Sequence, residues 1–172
     1  SETIDGVRDF FDPNKQKRVF EISHAIETSL NLMGNQFDIN KIKLNLEIQN
    51  EKVYGIETEL EQVILNILNN AIDVFKERNI ENREINIKVL SKQSYTILIM
   101  EDNAGGVKEE NIEKIFDPYY TTKSTGTGTG LYMVKLVIKN SFSGELKISN
   151  SEKGLRYIIA LPQKKLWWEI RD

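Results

Sequence analysis

Residues 58–75 read TELEQVILNILNNAIDVF. Apolar residues fall at Leu60, Val63, Ile64, Ile67, Leu68, Ala71 and Phe75, the three-and-four spacing of one buried helix face. Thr58 and Glu61 form a T-x-x-E capping box, so the spacing predicts a long helix from there to about Arg78. Asparagine is a mediocre helix former, and Asn66, Asn69 and Asn70 crowd the middle of this one. Asn66, Asn70 and Asp73 stand at i, i+4 and i+7 and share a face beside the apolar stripe. Two readings fit that face. It is solvated surface, or it is a site for magnesium and phosphate, because amide oxygens and a carboxylate are hard ligands.

Upstream, residues 42–48 (IKLNLEI) alternate with period two, which predicts a half-buried strand. Ile22, Ile26, Leu30 and Met33 mark a helix over 20–33, with Ser23 to cap it and Gly34 to stop it. Residues 1–17 are polar apart from Val7, Phe10 and Phe11 and read as a helix end followed by a linker at Asp12-Pro13-Asn14. Downstream, strands are predicted over 84–90 and 95–101, turning at Gln93-Ser94. An irregular, glycine-rich stretch runs from about Asp102 to Gly130, broken by a short helix near 109–115. A helix over 131–140 and strands over 145–149 and 155–161 complete the chain. Strands in adjacent pairs point to the α+β class: a two-layer α/β sandwich, with a mixed sheet carrying helices on one face.

Composition narrows the chemistry. The 172 residues hold no cysteine and one histidine, which excludes disulfide scaffolds, thiol catalysis and multi-histidine metal sites. With 23 Lys+Arg against 26 Asp+Glu, the net charge of -3 argues against a nucleic-acid partner. No apolar run approaches the ~20 residues that span a bilayer, and no signal peptide is visible at the start. The chain nevertheless reads as a piece of a longer protein, which could be membrane-anchored.

Two further clusters can carry chemistry. Met100-Glu101-Asp102-Asn103-Ala104-Gly105-Gly106-Val107 sets a carboxylate at a strand end before a glycine pair. It is a tight turn, or Asp102 accepts a hydrogen bond from an exocyclic amine such as that of adenine. Thr121-Thr122-Lys123-Ser124-Thr125-Gly126-Thr127-Gly128-Thr129-Gly130-Leu131 runs straight into a helix. Its alternating glycines are a flexible linker, or they present backbone N–H groups to an anion, with Lys123 as a cation and the threonines as donors. The spacing matches neither a Walker A loop nor a dinucleotide fingerprint.

Taken in order, these clusters resemble the catalytic and ATP-binding domain of sensor histidine kinases, in the Bergerat-fold (GHKL) superfamily. The resemblance spans about residues 18–162. Asn66-Ile-Leu-Asn-Asn70-Ala71 is similar to the asparagine box, Asp102-Asn-Ala-Gly-Gly106 to the first glycine box, and Gly126-Thr-Gly128-Thr-Gly130-Leu131 to the second. Ile115-Phe116-Asp117-Pro118-Tyr119-Tyr120-Thr121-Thr122-Lys123 resembles the phenylalanine box. The resemblance implies that Asn70 with Asn66 holds Mg²⁺ against the ATP phosphates. Asp102 reads adenine, with Val107 near the ring. Residues 107–130 form a mobile ATP lid anchored by Phe116. Lys123 reaches the terminal phosphates, and the backbone from Gly126 through Thr127, Gly128 and Thr129 to Gly130 and Leu131 cradles them, with Thr122 nearby. Two departures stand out. Ala104 occupies a common glycine position, tolerable unless positive φ is required. Asp73 replaces a common lysine and faces Mg²⁺, a protein cation or solvent.

The resemblance also weighs kinase against ATPase. The gyrase-like branch uses a glutamate one turn before the box asparagine, and here that position is Asn66, whose amide cannot act as a general base. The expected activity is therefore histidine kinase: transfer of the ATP γ-phosphate to a histidine on a separate dimerisation domain, for relay to a response regulator. The catalytic residues are then Asn66, Asn70 and Lys123. His24, followed by alanine and lying beyond the linker, reads as an ordinary helix histidine, so the chain should bind ATP without labelling itself. The expected organisation is residues 1–17 as the tail of a dimerisation helix plus linker, 18–165 as the catalytic domain and 166–172 as a C-terminal tail. This piece is expected to be monomeric, the whole protein homodimeric, and the location cytoplasmic. Trp167-Trp168 are expected to pack on the sheet or a neighbouring chain. The rival readings are a Bergerat ATPase switch, a non-enzymatic nucleotide-binding module, and a serine kinase of the same fold acting on an anti-sigma antagonist.

Overall fold

The computed structural model describes residues 16–118, 120 and 130–170. In chain order the elements are β1 (Arg18–Glu21), α1 (Ile22–Met33), α2 (Gln36–Ile39), β2 (Ile42–Ile48), β3 (Lys52–Gly55), α3 (Glu57–Glu77), β4 (Arg83–Lys92) and β5 (Tyr95–Asp102). The 3₁₀ turns Glu109–Asn111 and Lys114–Phe116 come next, followed by α4 (Gly130–Leu136), β6 (Glu145–Asn150) and β7 (Leu155–Pro162).

Five strands form one sheet in the order β2-β4-β5-β7-β6, and β1 pairs with β3 in a two-stranded ribbon. β2 runs parallel to β4, while β4–β5, β5–β7 and β6–β7 are antiparallel. The sheet is therefore mixed, and α3 lies on the crossover that a parallel pair requires. Period-two alternation turns Ile85, Ile87, Val89, Leu98, Met100, Tyr157, Ile159 and Leu161 toward the helices, all buried. The stripe of α3 meets them: Leu60, Val63, Ile64, Ile67, Leu68, Ala71 and Phe75 are all buried, joined by Ile72. Ile22, Ala25, Ile26 and Met33 of α1 extend the same core. Each fully buried aliphatic chain there contributes about 1.5–3 kcal/mol. Asn86 and Lys88, on the opposite face of β4, are exposed. This is the two-layer α+β arrangement with helices on one face that the strand pairing implied.

Several local expectations are corrected. β1, α2 and β3 were not predicted, because elements of four residues are too short to show a period. Ser23 does not cap α1. The helix already starts at Ile22, directly after strand β1, and the Ser23 backbone N–H donates to Asn50 Oδ1 at 3.3 Å. Thr58 does not cap α3 either, since the helix starts at Glu57 and its N-cap, Ile56, makes no side-chain bond. Acidic Glu57 and Glu59 in the first turn favour the positive helix end instead. Gly34 does stop α1, with φ of 60° and its N–H bonded to the Asn31 carbonyl at 3.0 Å. On edge strand β2 the alternation is diluted: Ile42 is buried but Leu46 is 50% exposed. The short helix expected over 109–115 is two separate 3₁₀ turns. α4 continues as a π turn over Val137–Ser141. Trp167 and Trp168 do not pack on the sheet. Both are exposed and meet each other edge to face at 5.7 Å.

Candidate functional site

The site grows from the last residue of β5 and the middle of α3. Asp102 is largely enclosed, and its Oδ1 accepts the Ala104 N–H at 2.9 Å and the Leu155 N–H at 3.4 Å. Burial pushes its carboxyl above the ordinary carboxylate value, opposed by those two N–H groups and by the nearby Arg78. Gly154 makes this possible, because a Cβ there would collide with the Asp102 main chain. A small cavity beside the carboxylate is walled by Ile67 and Ala71 of α3, Met100 of β5 and Tyr157 of β7. The Asp102 carboxylate thus lies beside the turn of α3 that carries Asn70.

Asn66 and Asn70 stand half-buried on α3, and Asp73 is exposed one turn on. Asn66 is held on both sides: its Oδ1 accepts from Gln62 Nε2 at 3.0 Å, and its Nδ2 donates to the Gly130 carbonyl at 3.2 Å. The second bond joins the asparagine face to the start of α4, so Gly130 and Leu131 arrive at the same rim. Phe116 is buried in the second 3₁₀ turn, where it joins the core. Thr122, Lys123, Gly126, Thr127, Gly128 and Thr129 lie outside the described residues. Among the described residues no group of three or more His, Asp or Glu side chains could hold a metal ion. Amide oxygens are the side-chain donors this face offers a hard cation.

The turn after Asp102 is rigidly held. Gly105 and Gly106 take φ of 98° and 69°, and Ala104 has no positive φ, so alanine fits where a glycine is common. Arg78 Nη1 donates to the carbonyls of Ala104 and Gly106 at 2.8 and 2.7 Å. Asn150 Oδ1 accepts the Val107 N–H at 2.9 Å, and its Nδ2 donates to the Val107 carbonyl at 2.6 Å. Arg78, Asn150, Gly154 and Tyr157 were not found from sequence. Each reaches the site through tertiary contact, and nothing in its local pattern marks it.

His24 is exposed on α1 and pairs with Glu57, which also takes Arg18 at 3.3 Å. The Glu57 hydrogen bond and charge raise the imidazole above its ordinary value.

The family of histidine kinase-, DNA gyrase B- and HSP90-like ATPases matches residues 55–165. Sporulation kinase E of Bacillus subtilis is 29% identical over 147 residues, 84% of this chain and 19% of that protein. Sensor histidine kinase ZraS of Salmonella typhimurium is 34% identical over 148 residues, 82% of this chain and 30% of that protein. The chain therefore spans a fifth to a third of the length of these relatives. Among solved structures, the catalytic domain of histidine kinase ThkA superposes with a TM-score of 0.77 at 26% identity, covering 87% of this chain and 97% of that one. ThkA in complex with response regulator protein TrrA shares the fold, with a TM-score of 0.75 at 23% identity over 95% of this chain and 47% of that one. A shared sheet, a matched sequence span and kinase relatives agree: this chain belongs to the histidine kinase-, DNA gyrase B- and HSP90-like ATPase family, as an ATP-binding catalytic domain of the sensor histidine kinase type.

Proposed function

We propose that this domain binds Mg·ATP with the base at Asp102 and the phosphates along Asn66, Asn70 and the glycine-rich segment ending at Gly130. In this reading it transfers the γ-phosphate to a histidine on a separate dimerisation domain, for relay to a response regulator. The observation that carries the reading is Asp102: a partly buried acceptor fixed by two backbone N–H groups beside the Asn70 turn. Its outer oxygen suits an exocyclic amine, and its burial strengthens such a bond. Val107 is held beside it by Asn150, where a purine face would lie.

The amide oxygens of Asn70 and Asn66 fit Mg²⁺, which takes few protein ligands and keeps phosphate and water oxygens. The ion would offset phosphate charge as the phosphoryl group leaves. Lys123 would add a second cation. Asn66, engaged by Gln62 and Gly130, cannot take a proton from water, which favours phosphoryl transfer over hydrolysis. His24 sits on a packed helix against Glu57 rather than on a free dimerising helix, so the acceptor belongs elsewhere in the protein. We place the domain on the cytoplasmic side, monomeric as this piece and paired in the full protein, with residues 1–17 leading from the dimerisation helix. Among the described residues no helix is long and apolar enough to cross a membrane.

Calorimetric titration of ATP, with and without Mg²⁺, tests the site. Saturable, magnesium-enhanced binding that Asp102→Asn weakens about 10- to 100-fold is expected. A folded wild-type chain with no ATP binding would displace the reading in favour of a protein-binding module. Phosphotransfer is tested by mixing the chain with labelled ATP and a purified histidine-bearing dimerisation domain. Label is expected on that domain only. Self-labelling that persists at high dilution and vanishes in His24→Ala would overturn the assignment of the acceptor.

A further inference from the structure

Arg78 follows α3 directly, and its own N–H returns to the Val74 carbonyl at 3.0 Å, so its side chain starts from a fixed point on the helix that carries Asn70. From there a single guanidinium nitrogen, Nη1, donates to two carbonyls of the turn after Asp102, Ala104 at 2.8 Å and Gly106 at 2.7 Å. The turn needs holding: its two glycines lie at φ of 98° and 69°, a region a free chain shares with many others. Asn150 closes it from the opposite side through both polar groups of Val107, and Nδ2 also reaches Glu109 at 2.9 Å. Arginine suits this task, since its planar fork carries a permanent charge and converging donors, whereas lysine offers a shorter point charge.

We infer that Arg78 is a positioning residue for nucleotide binding: it braces the Ala104–Gly106 turn against the end of α3 and so sets the base carboxylate and the phosphate-side amides at a fixed separation before nucleotide arrives. This rests on the nucleotide reading given above. The brace acts through a second route as well, because the guanidinium favours the ionised form of Asp102. The other groups facing that carboxylate are Glu101 on β5, which opposes ionisation, the Tyr157 hydroxyl on β7, and the N–H groups of Ala104 and Leu155. Glu101 is itself paired with Arg156 at 2.8 Å.

The test is ADP binding without magnesium, which isolates the base side, measured by calorimetry across an acidic-to-neutral pH series. Arg78→Gln removes the charge, and Arg78→Lys keeps it. Arg78→Gln is expected to weaken ADP about tenfold, the worth of a lost charge-assisted bond. The pH at which binding fails on the acid side should move upward in that variant, with Arg78→Lys recovering most of that shift but not the affinity. A brace that only supported the fold would lower the melting temperature and leave the acid midpoint in place. Wild-type affinity and midpoint in folded Arg78→Gln would overturn the inference. Should Arg78→Gln not fold, wild-type affinity in Arg78→Lys would overturn it equally. Failure of the wild-type chain to bind ADP would instead remove the nucleotide reading, and the role of the brace with it.

Discussion

Asp102 combines two demands that oppose each other, a dry environment and a negative charge. Burial raises its folded pKa above the unfolded value, so the folded state holds the proton more tightly. Stability from this group is complete below the ordinary carboxylate pKa and is lost as pH rises through the folded pKa. Above its folded pKa the ionised carboxylate therefore destabilises the fold in exchange for a strong acceptor. Asp102→Asn should keep or raise the melting temperature at pH near 7 while weakening ATP about 10- to 100-fold, the range for a hydrogen bond to a charged group. Parallel thermal melts and titrations check both halves of that statement. His24 follows the same sign rule with a different origin. Glu57 raises its folded pKa, so its contribution is complete below 6.5 and is lost as pH rises through the folded pKa. Melting temperature should fall slightly over that interval in the wild-type chain and stay flatter in His24→Ala.

Helix α3 joins core and site, with Leu60, Ile64 and Leu68 fully enclosed on one side and Asn66 and Asn70 half-buried on the other. Leu68→Ala should cost about 2–5 kcal/mol by urea denaturation, the range for a large-to-small change in a packed core. Gly154→Ala is expected to displace Asp102 and weaken ATP binding, and to lower stability as well because the added Cβ meets main chain, read by titration and thermal melts of the variant. The helix and its stripe were legible because a period of 3.6 persists over many residues, and strands β4, β5 and β7 because their alternation is strict. Ser23 and Thr58 misled because a local capping pattern was read where the preceding β1 and β3, which pair with each other, fix the entry of the chain. Asn66, Asn70, Asp102 and Gly130 were legible as unusual residues in unusual places. Arg78, Asn150 and Tyr157 were not, since an arginine after a helix, an asparagine at a strand end and a tyrosine in a strand are unremarkable until the fold brings them together.

At the scale of the whole molecule one core runs through α1, α3, α4 and the five-stranded sheet, so unfolding should be a single cooperative transition. ATP with magnesium at about a hundred times its dissociation constant should add about 2.7 kcal/mol. In a domain of this size that moves the melting temperature by roughly 5–10 °C, and Asp102→Asn should lose about half or more of the shift. The bond between Leu155 and Asp102 closes a sequence separation of 53 residues, and the parallel pairing of β2 with β4 brings Asn45 to Asn86 across 41. Contacts so distant along the chain form after slow loop closure, and the pocket beside Asp102 is expected to be among the last parts to assemble. Nucleotide then has nothing to grip in the rate-limiting species. In denaturant-jump kinetics, refolding rates should be the same with and without ADP, and the whole of the ligand's stabilisation should emerge as slower unfolding.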